Sequence, residues 1–227
     1  DLGTFQVRTI VQDEIWDIFN STPSFSPDGK FVLYAAFRNF EQNVYVHELA
    51  TGRNIAITDT YVSEASPVWS PDGKYIYFQT NRTRPAYPYG MRDSDIYRIA
   101  LDHIQPVFRS DRFDQLFVTE ESTEATSPQN RSSARRGTST PATGQNAEPG
   151  QLVTINESGL KDRWELVGPS FGSQMDPFVH IDGEKTIVLY RSNHGEGRYS
   201  WWKTVYEPFE SPKTESIKGT QMGSGSP

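Results

Sequence analysis

Apolar positions along the chain cluster in short runs separated by polar turns. Phe31–Ala36 and Tyr75–Thr80 are six-residue runs rich in aromatic and β-branched side chains. Phe31-Val32-Leu33-Tyr34 is apolar at consecutive positions, so it predicts a strand covered on both faces. A short strand precedes each run, at Ser24-Phe25 and Val68-Trp69, and a third strand follows at Asn43–Leu49 and Asp95–Leu101. After Thr51-Gly52, a turn pair, Arg53–Thr58 predicts a fourth strand.

The two groups of strands are copies of one unit. Residues 23–38 read PSFSPDGKFVLYAAFR and residues 67–82 read PVWSPDGKYIYFQTNR, a period of 44 residues. In the shared Ser-Pro-Asp-Gly, proline fixes φ at the second turn position, aspartate bonds back to nearby backbone, and glycine supplies the left-handed exit. The motif is therefore a tight reversal between strands. Four short strands per roughly 40–45 residues, covered on both faces, is the pattern of a β-propeller blade. A degenerate third copy begins at Ile181, where IDGEKTIVLYRSN keeps the Asp182-Gly183 turn and an apolar strand.

Between these regions, Thr119 to Gly150 contains no aromatic residue and no Ile, Leu, Val or Met, and eleven of its 32 residues are Ser or Thr. Such a segment buries too little apolar surface to offset the entropy of ordering it. It predicts a disordered linker. The expected organisation is then two blades closing one propeller in 1–118, a linker in 119–150, and in 151–227 a further blade or blades opening a second propeller. The fold class is all-β, a partial propeller of four-stranded antiparallel blades. A short helical turn is expected near Arg109–Leu116, and Val7–Val11 is a candidate extra strand covering the first blade.

Aromatic residues make up 13% of the chain, which excludes disorder throughout. Zero cysteines exclude disulfides and thiolate metal sites. The formal charge is 22 − 29 = −7, which argues against nucleic acid as partner. No apolar run approaches the ~20 residues of a membrane span. Residue 1 is Asp and no signal-like segment opens the chain, which predicts an internal piece of a longer protein.

Direct searches for chemistry give little. His47, His103, His180 and His194 form no H-E-x-x-H pair. No G-x-S-x-G elbow is present, and Gly172-Ser173 reads as a loop. His180-x-Asp182 falls in a hairpin, and His194–Gly197 reads as a turn between strands. Asp28, Asp72 and Asp182 recur at one position, but the turn already accounts for them. The expectation is no catalytic residue, no metal and no cofactor within this segment. Tyr199, Trp201 and Trp202 read as core packing, with a stacking site for peptide or sugar as the rival. The insertion after Arg82 (RTRPAYPYGMRD) concentrates aromatics and arginine, as contact surfaces do. Tyr87, Tyr89 and Arg92 are its candidate ligand-binding residues, against a reading in which they pack the loop onto the blade rim.

SPVWSPDGKYIYFQTNR, followed by SDIYRIALDHIQPVFRSDRFDQLF, resembles the propeller region of bacterial tricorn-type serine peptidases. GLKDRWELVGPSFGSQ and TIVLYRSNHGEGRYSWWKTVYEPFE are similar to the passage between that family's two propellers. The resemblance covers about 16–119 and 152–210. The aromatic-SPDGK turn also occurs in TolB-like proteins and prolyl-oligopeptidase relatives. The resemblance implies a non-catalytic propeller segment that gates or guides peptide substrates to a catalytic domain outside this chain. The parent chain would be a serine peptidase (a hydrolase) with peptide substrates as its partners; composition and the lack of a long apolar run argue for no nucleic acid and no membrane span. A periplasmic location follows from the same resemblance, with the cytoplasm as alternative, and a homo-oligomer is possible in principle for an unclosed ring. The rival reading is a free-standing TolB-like propeller module for protein–protein binding.

Overall fold

The computed structural model describes residues 7–15, 22–38, 40–86, 91, 93–104, 152–195 and 197–219. They belong to one compact unit, drawn from Asp1–Gln105 and Pro149–Pro227; the second unit, Pro106–Glu148, lies outside the described residues. The helical turn expected near Arg109–Leu116 lies outside them too.

Three four-stranded antiparallel sheets are built one after another. The first holds β1 (Ser24–Phe25), β2 (Phe31–Arg38), β3 (Glu41–Glu48) and β4 (Asn54–Ala56). The second holds β5 (Glu64–Trp69), β6 (Tyr75–Thr80), β7 (Asp95–Ala100) and β8 (Trp164–Leu166). The third holds β9 (Gln174–Asp182), β10 (Lys185–Ser192), β11 (Ser200–Tyr206) and β12 (Lys213–Ser216). Each sheet is a meander in chain order, the blade architecture that the repeat predicts. A single 3-10 turn, Leu160–Arg163, is the one helical element among the described residues.

The Ser-Pro-Asp-Gly segments make the predicted reversals between first and second strands. Ser26 Oγ donates to Asp28 Oδ1 at 2.7 Å and Ser70 Oγ to Asp72 Oδ1 at 2.6 Å. The same hydroxyls accept the Phe31 and Tyr75 amides at 3.0 and 2.9 Å, tying each turn to the strand it opens. Gly29, Gly73 and Gly183 sit at φ of 70°, 68° and 58°, the left-handed conformation glycine tolerates without cost.

The chain after the low-complexity stretch does not open a separate array. Tyr97, Arg98 and Ile99 of β7 pair with Leu166, Glu165 and Trp164 of β8, so residues on both sides of 119–150 share the second sheet. This corrects the boundary predicted between 1–118 and 151–227. The long segment is an insertion between the third and fourth strands of one blade. A three-residue outer strand carries too few buried side chains to announce itself in the sequence.

Packing follows the alternation of the strands. Leu33, Val44 and Val46 of the first sheet face Ile76, Phe78 and Ile99 of the second in one core, which Val153 and Leu160 seal from beyond the insertion. The opposite face of the second sheet, with Tyr77 and Ile96, packs on Val179, Val188 and Tyr190 of the third. Each such fully buried side chain contributes about 1.5–3 kcal/mol of transfer free energy. The outer face of the first sheet is covered by residues 7–15. These form no strand, contrary to the expectation for Val7–Val11; Val11 and Ile15 pack on Tyr34, Ala36 and Tyr45 instead.

The third copy is more complete than the Asp-Gly turn suggests. Ser63-Glu64-Ala65-Ser66-Pro67 and Ser173-Gln174-Met175-Asp176-Pro177 stand at the same distance before their turn aspartates. Ser66 and Asp176 both have positive φ, 50° and 56°, and in each sheet the first strand bulges there against the second. Proline, which cannot donate to a ladder, sits within each bulge. Asn81 Oδ1 accepts the Ser63 amide at 3.1 Å, and Asn193 Oδ1 accepts the Ser173 amide at 2.6 Å.

Candidate functional site

The outer face of the first sheet carries two concavities. The first is a groove of about 370 Å³ between Arg8–Val11 and Ile15 on one side and Pro23, Ser24, Phe25, Val32 and Tyr34 on the other. Strand β1 is only two residues long and, among the described residues, pairs on one side alone, with β2. Phe25 is 61% exposed beside that strand. The groove is thus apolar along its floor, with Arg8, the one cation among its described lining residues, in its wall.

The second concavity, about 550 Å³, is lined by Arg38, Glu41, Asn43, Tyr45, Ala56, Asp59, Thr60 and Tyr61. Both volumes fall in or near the range of ligand-sized cavities, about 300–1,000 Å³. A compact cluster links the two. The Tyr34 ring, in the groove, stacks on Tyr45 of the second concavity with centroids 5.6 Å apart. The Arg38 guanidinium lies 4.1 Å from the centre of the Tyr45 ring. Asp13 accepts from Arg38 Nη2 at 2.6 Å and from Tyr34 Oη at 3.4 Å, and Glu14 O accepts the Phe37 amide at 2.8 Å. Partial burial works against charge on Asp13, but the Arg38 guanidinium and the Glu14 and Tyr34 bonds hold its carboxyl below the ordinary range. Burial pushes the Tyr34 and Tyr45 hydroxyls up, so both rings stay neutral. Asp13 is therefore the residue that fastens 7–15 over the sheet and gives the groove its outer wall.

Groups that could do covalent chemistry are used structurally. Ser192 Oγ lies 2.6 Å from His194 Nδ1, but Ser192 is fully buried, out of reach of a substrate carbonyl. The His194 ring packs between Phe171 and Trp202, and burial lowers its pKa. His47 Nδ1 pairs with Asn54 at 2.7 Å. Ser173, flagged in the sequence as a loop residue, uses its Oγ to accept the Ser94 amide. His180 is exposed on β9 and Asp182 ends that strand, the hairpin expected of them. No group of three His, Asp or Glu side chains able to hold a metal occurs among the described residues.

Tyr87, Tyr89 and Arg92 lie outside the described residues. The base of their loop is packed: Arg82 stacks over Trp164 at 4.9 Å, and Arg84 pairs with the buried Asp95 at 2.8 Å. Trp202 packs on the core shared by the second and third sheets, and Trp201 is half-buried on the opposite face of β11. The groove itself escaped sequence reasoning. Its wall comes from a segment of irregular backbone, and the signal that exists is Ile10-Val11 and Ile15 without strand periodicity.

No protein-family model matches the chain. Among solved structures it is similar to a putative TolB from Agrobacterium tumefaciens, at 15% identity and TM-score 0.47, over 94% of this chain and 54% of that one. It is similar to TolB from Acinetobacter baumannii at 17% identity and TM-score 0.47, over 96% of this chain and 36% of that one. An acylaminoacyl peptidase matches at 13% identity and TM-score 0.37, over 88% and 25%. The chain spans about half or less of the length of these proteins. No helix among the described residues is long and apolar enough to cross a membrane.

Proposed function

We propose that this chain is a non-catalytic β-propeller segment that receives extended peptides and guides them to a serine-peptidase centre lying outside these residues. The observation that carries the reading is the apolar groove beside β1, walled by 7–15 and edged by exposed Phe25. An extended peptide fits a groove beside a strand edge that pairs with no other strand among the described residues, where its main chain finds partners and its side chains find apolar pockets. The tricorn-type resemblance of 16–119 and 152–210 supplies the peptidase context and a periplasmic location, with the cytoplasm as alternative. Tyr87, Tyr89 and Arg92, which lie outside the described residues, are in this reading further candidates for peptide contact.

The test is turnover. The chain alone should leave casein and fluorogenic peptides intact. The same substrates should be cleaved by the longer protein that includes a serine-peptidase domain, and a serine-directed inhibitor should stop that cleavage. Inhibitor-sensitive turnover by the 227 residues alone contradicts the reading.

A second reading is a free-standing TolB-like module that binds folded proteins. Exposed Phe178 and half-buried Trp201 on the outer face of the third sheet favour it, since both suit a protein contact. A partner protein bound with no effect of competing peptide would select this second reading.

A further inference from the structure

The connection from β4 to β5, residues 57–63, is closed around one hydroxyl. Thr60 Oγ1 stands 2.6 Å from Glu64 Oε1 and 3.2 Å from the Val62 carbonyl oxygen, and it accepts the Val62 amide at 3.3 Å. A threonine hydroxyl has one proton to donate and two lone pairs to accept with. With Glu64 ionised, that proton serves either the carboxylate or Val62 O, and the other acceptor goes without. With Glu64 protonated, the acid donates to Thr60 Oγ1 and the Thr60 proton goes to Val62 O. Each lone pair and the proton of Thr60 are then used once.

The surroundings favour the same protonated form. Glu64 is fully buried, and its Oε2 has no hydrogen-bond partner among the described residues. Burial without a partner costs a charged oxygen more than a neutral one. Thr80 Oγ1 reaches Oε1 only at 3.5 Å. Of the charged groups nearby, Arg82 after β6 favours ionisation, and Tyr45 of β3 stays neutral. Asp95 of β7, next but one along the row Glu64↔Thr80↔Asp95, is engaged by Arg84 and Thr83. Glu41 of β3 accepts the Ser63 hydroxyl, and exposed Asp59 lies beside Lys161. Glu64 is held by strand pairing to β6, whereas residues 57–63 are irregular backbone, the side that can yield. Asp59, Thr60 and Tyr61 of that connection wall the second concavity, and Tyr61 is wholly exposed.

We infer that the proton on Glu64 is a latch: it fastens the β4–β5 connection in the form described, and its loss at rising pH frees Thr60 and with it the Asp59–Tyr61 wall of the second concavity. The closed site releases that proton near pH 7 and an opened, hydrated one near the ordinary 4.5. Closure should therefore weaken about 10-fold between about pH 6 and pH 8.5. Amide hydrogen exchange tests it, with rates corrected for the pH dependence of free amides. It is read at low urea, to which local opening is insensitive. In the wild type, protection of the amides of residues 60 and 62 should fall about 10-fold over that range, without a urea dependence. Glu64→Gln, whose amide can donate to Thr60 Oγ1 as the acid does, should hold the same protection at both pH values. Thr60→Val removes the hydroxyl and decides the matter if Glu64→Gln fails to fold. Its two amides should be weakly protected at about pH 6 and unchanged at about pH 8.5. Protection independent of pH in the wild type overturns the inference. So does the wild-type pH dependence persisting in either variant, or a loss that appears only with urea-sensitive unfolding of β6.

Discussion

Glu64 and Gln174 occupy the same place in successive sheets, each eight residues before its turn aspartate and each fully buried. Gln174 fits as a neutral amide: its Oε1 accepts the Ile96 amide at 3.2 Å and its Nε2 donates to Pro169 O at 2.6 Å. Glu64 Oε1 accepts the Thr60 hydroxyl at 2.6 Å. Burial pushes its pKa up to about 7, although the hydroxyls of Thr60, Thr58 and Thr80 and the charge of Arg82 work the other way. Near pH 7 Glu64 is thus about half protonated, and only below that does it approach the neutral state that its counterpart has by chemistry.

A raised carboxylate pKa has a defined effect on stability. Between the ordinary value of 4.5 and about 7 the folded chain holds a proton that the unfolded chain has lost. Stability should therefore fall as pH rises through that window and level off above it, by an amount on the order of 3 kcal/mol. Glu64→Gln should remove this component and raise stability at pH values above the window. Urea denaturation of both proteins across the window checks it; equal pH slopes would count against the assignment.

Gly73 and Gly29 share a turn position and a left-handed φ but differ in surroundings. A Cβ at Gly73 would stand 2.6 Å from Val153 Cγ2, whereas one at Gly29 meets nothing within 4 Å. Gly29→Ala should cost about 1–2 kcal/mol from backbone conformation alone. Gly73→Ala should cost more, because Val153 and the core it seals must shift. The denaturation midpoints of the two variants, compared with each other, test the difference.

Arg98 joins the second sheet to the third. Its guanidinium lies 4.6 Å from the centre of the Tyr75 ring and 3.9 Å from that of Tyr206, and it pairs with Glu165 at 2.5 Å. Arg98→Ala removes both stacking contacts and should destabilise by roughly 2–4 kcal/mol. Arg98→Lys keeps the charge but not the planar stack, so it should recover less than half of that loss. Chemical denaturation with unchanged slope gives the measurement.

Asp13→Ala should release 7–15 from the first sheet. It removes the partner of Arg38 and of the Tyr34 hydroxyl, at a cost of about 1–3 kcal/mol. Because the folded pKa of Asp13 is depressed, its contribution is present above the unfolded value of 3.8 and is lost as pH falls through the folded one. Hydrogen exchange should accelerate at the Phe37 amide, which Glu14 O protects. Unchanged protection there would show that 7–15 is held by its apolar contacts alone.

Much of the fold could be read from local pattern. The Ser-Pro-Asp-Gly turns and the flanking apolar runs specify their own hairpins, and Tyr75–Thr80 matches its predicted bounds. What could not be read was long-range pairing. Leu166 finds Tyr97 across the insertion, and nothing in a three-residue strand announces its partner. The bulge prolines Pro67 and Pro177 were legible as a repeat, yet the 110-residue spacing of their turns, enlarged by the insertion, hid it. The groove depends on irregular backbone at 7–15, which carries no periodicity for a sequence pattern to detect.

The central claim, that an extended peptide lies in the groove beside β1 without being cut, is tested by fluorescence anisotropy. An end-labelled, extended apolar peptide is titrated with the wild-type chain and with Phe25→Ala, and the recovered peptide is weighed by mass spectrometry. The account predicts saturable binding, at least about 10-fold weaker binding to Phe25→Ala, and an intact peptide in both. Absence of binding by the wild type, equal binding by Phe25→Ala, or a cleaved peptide would contradict it.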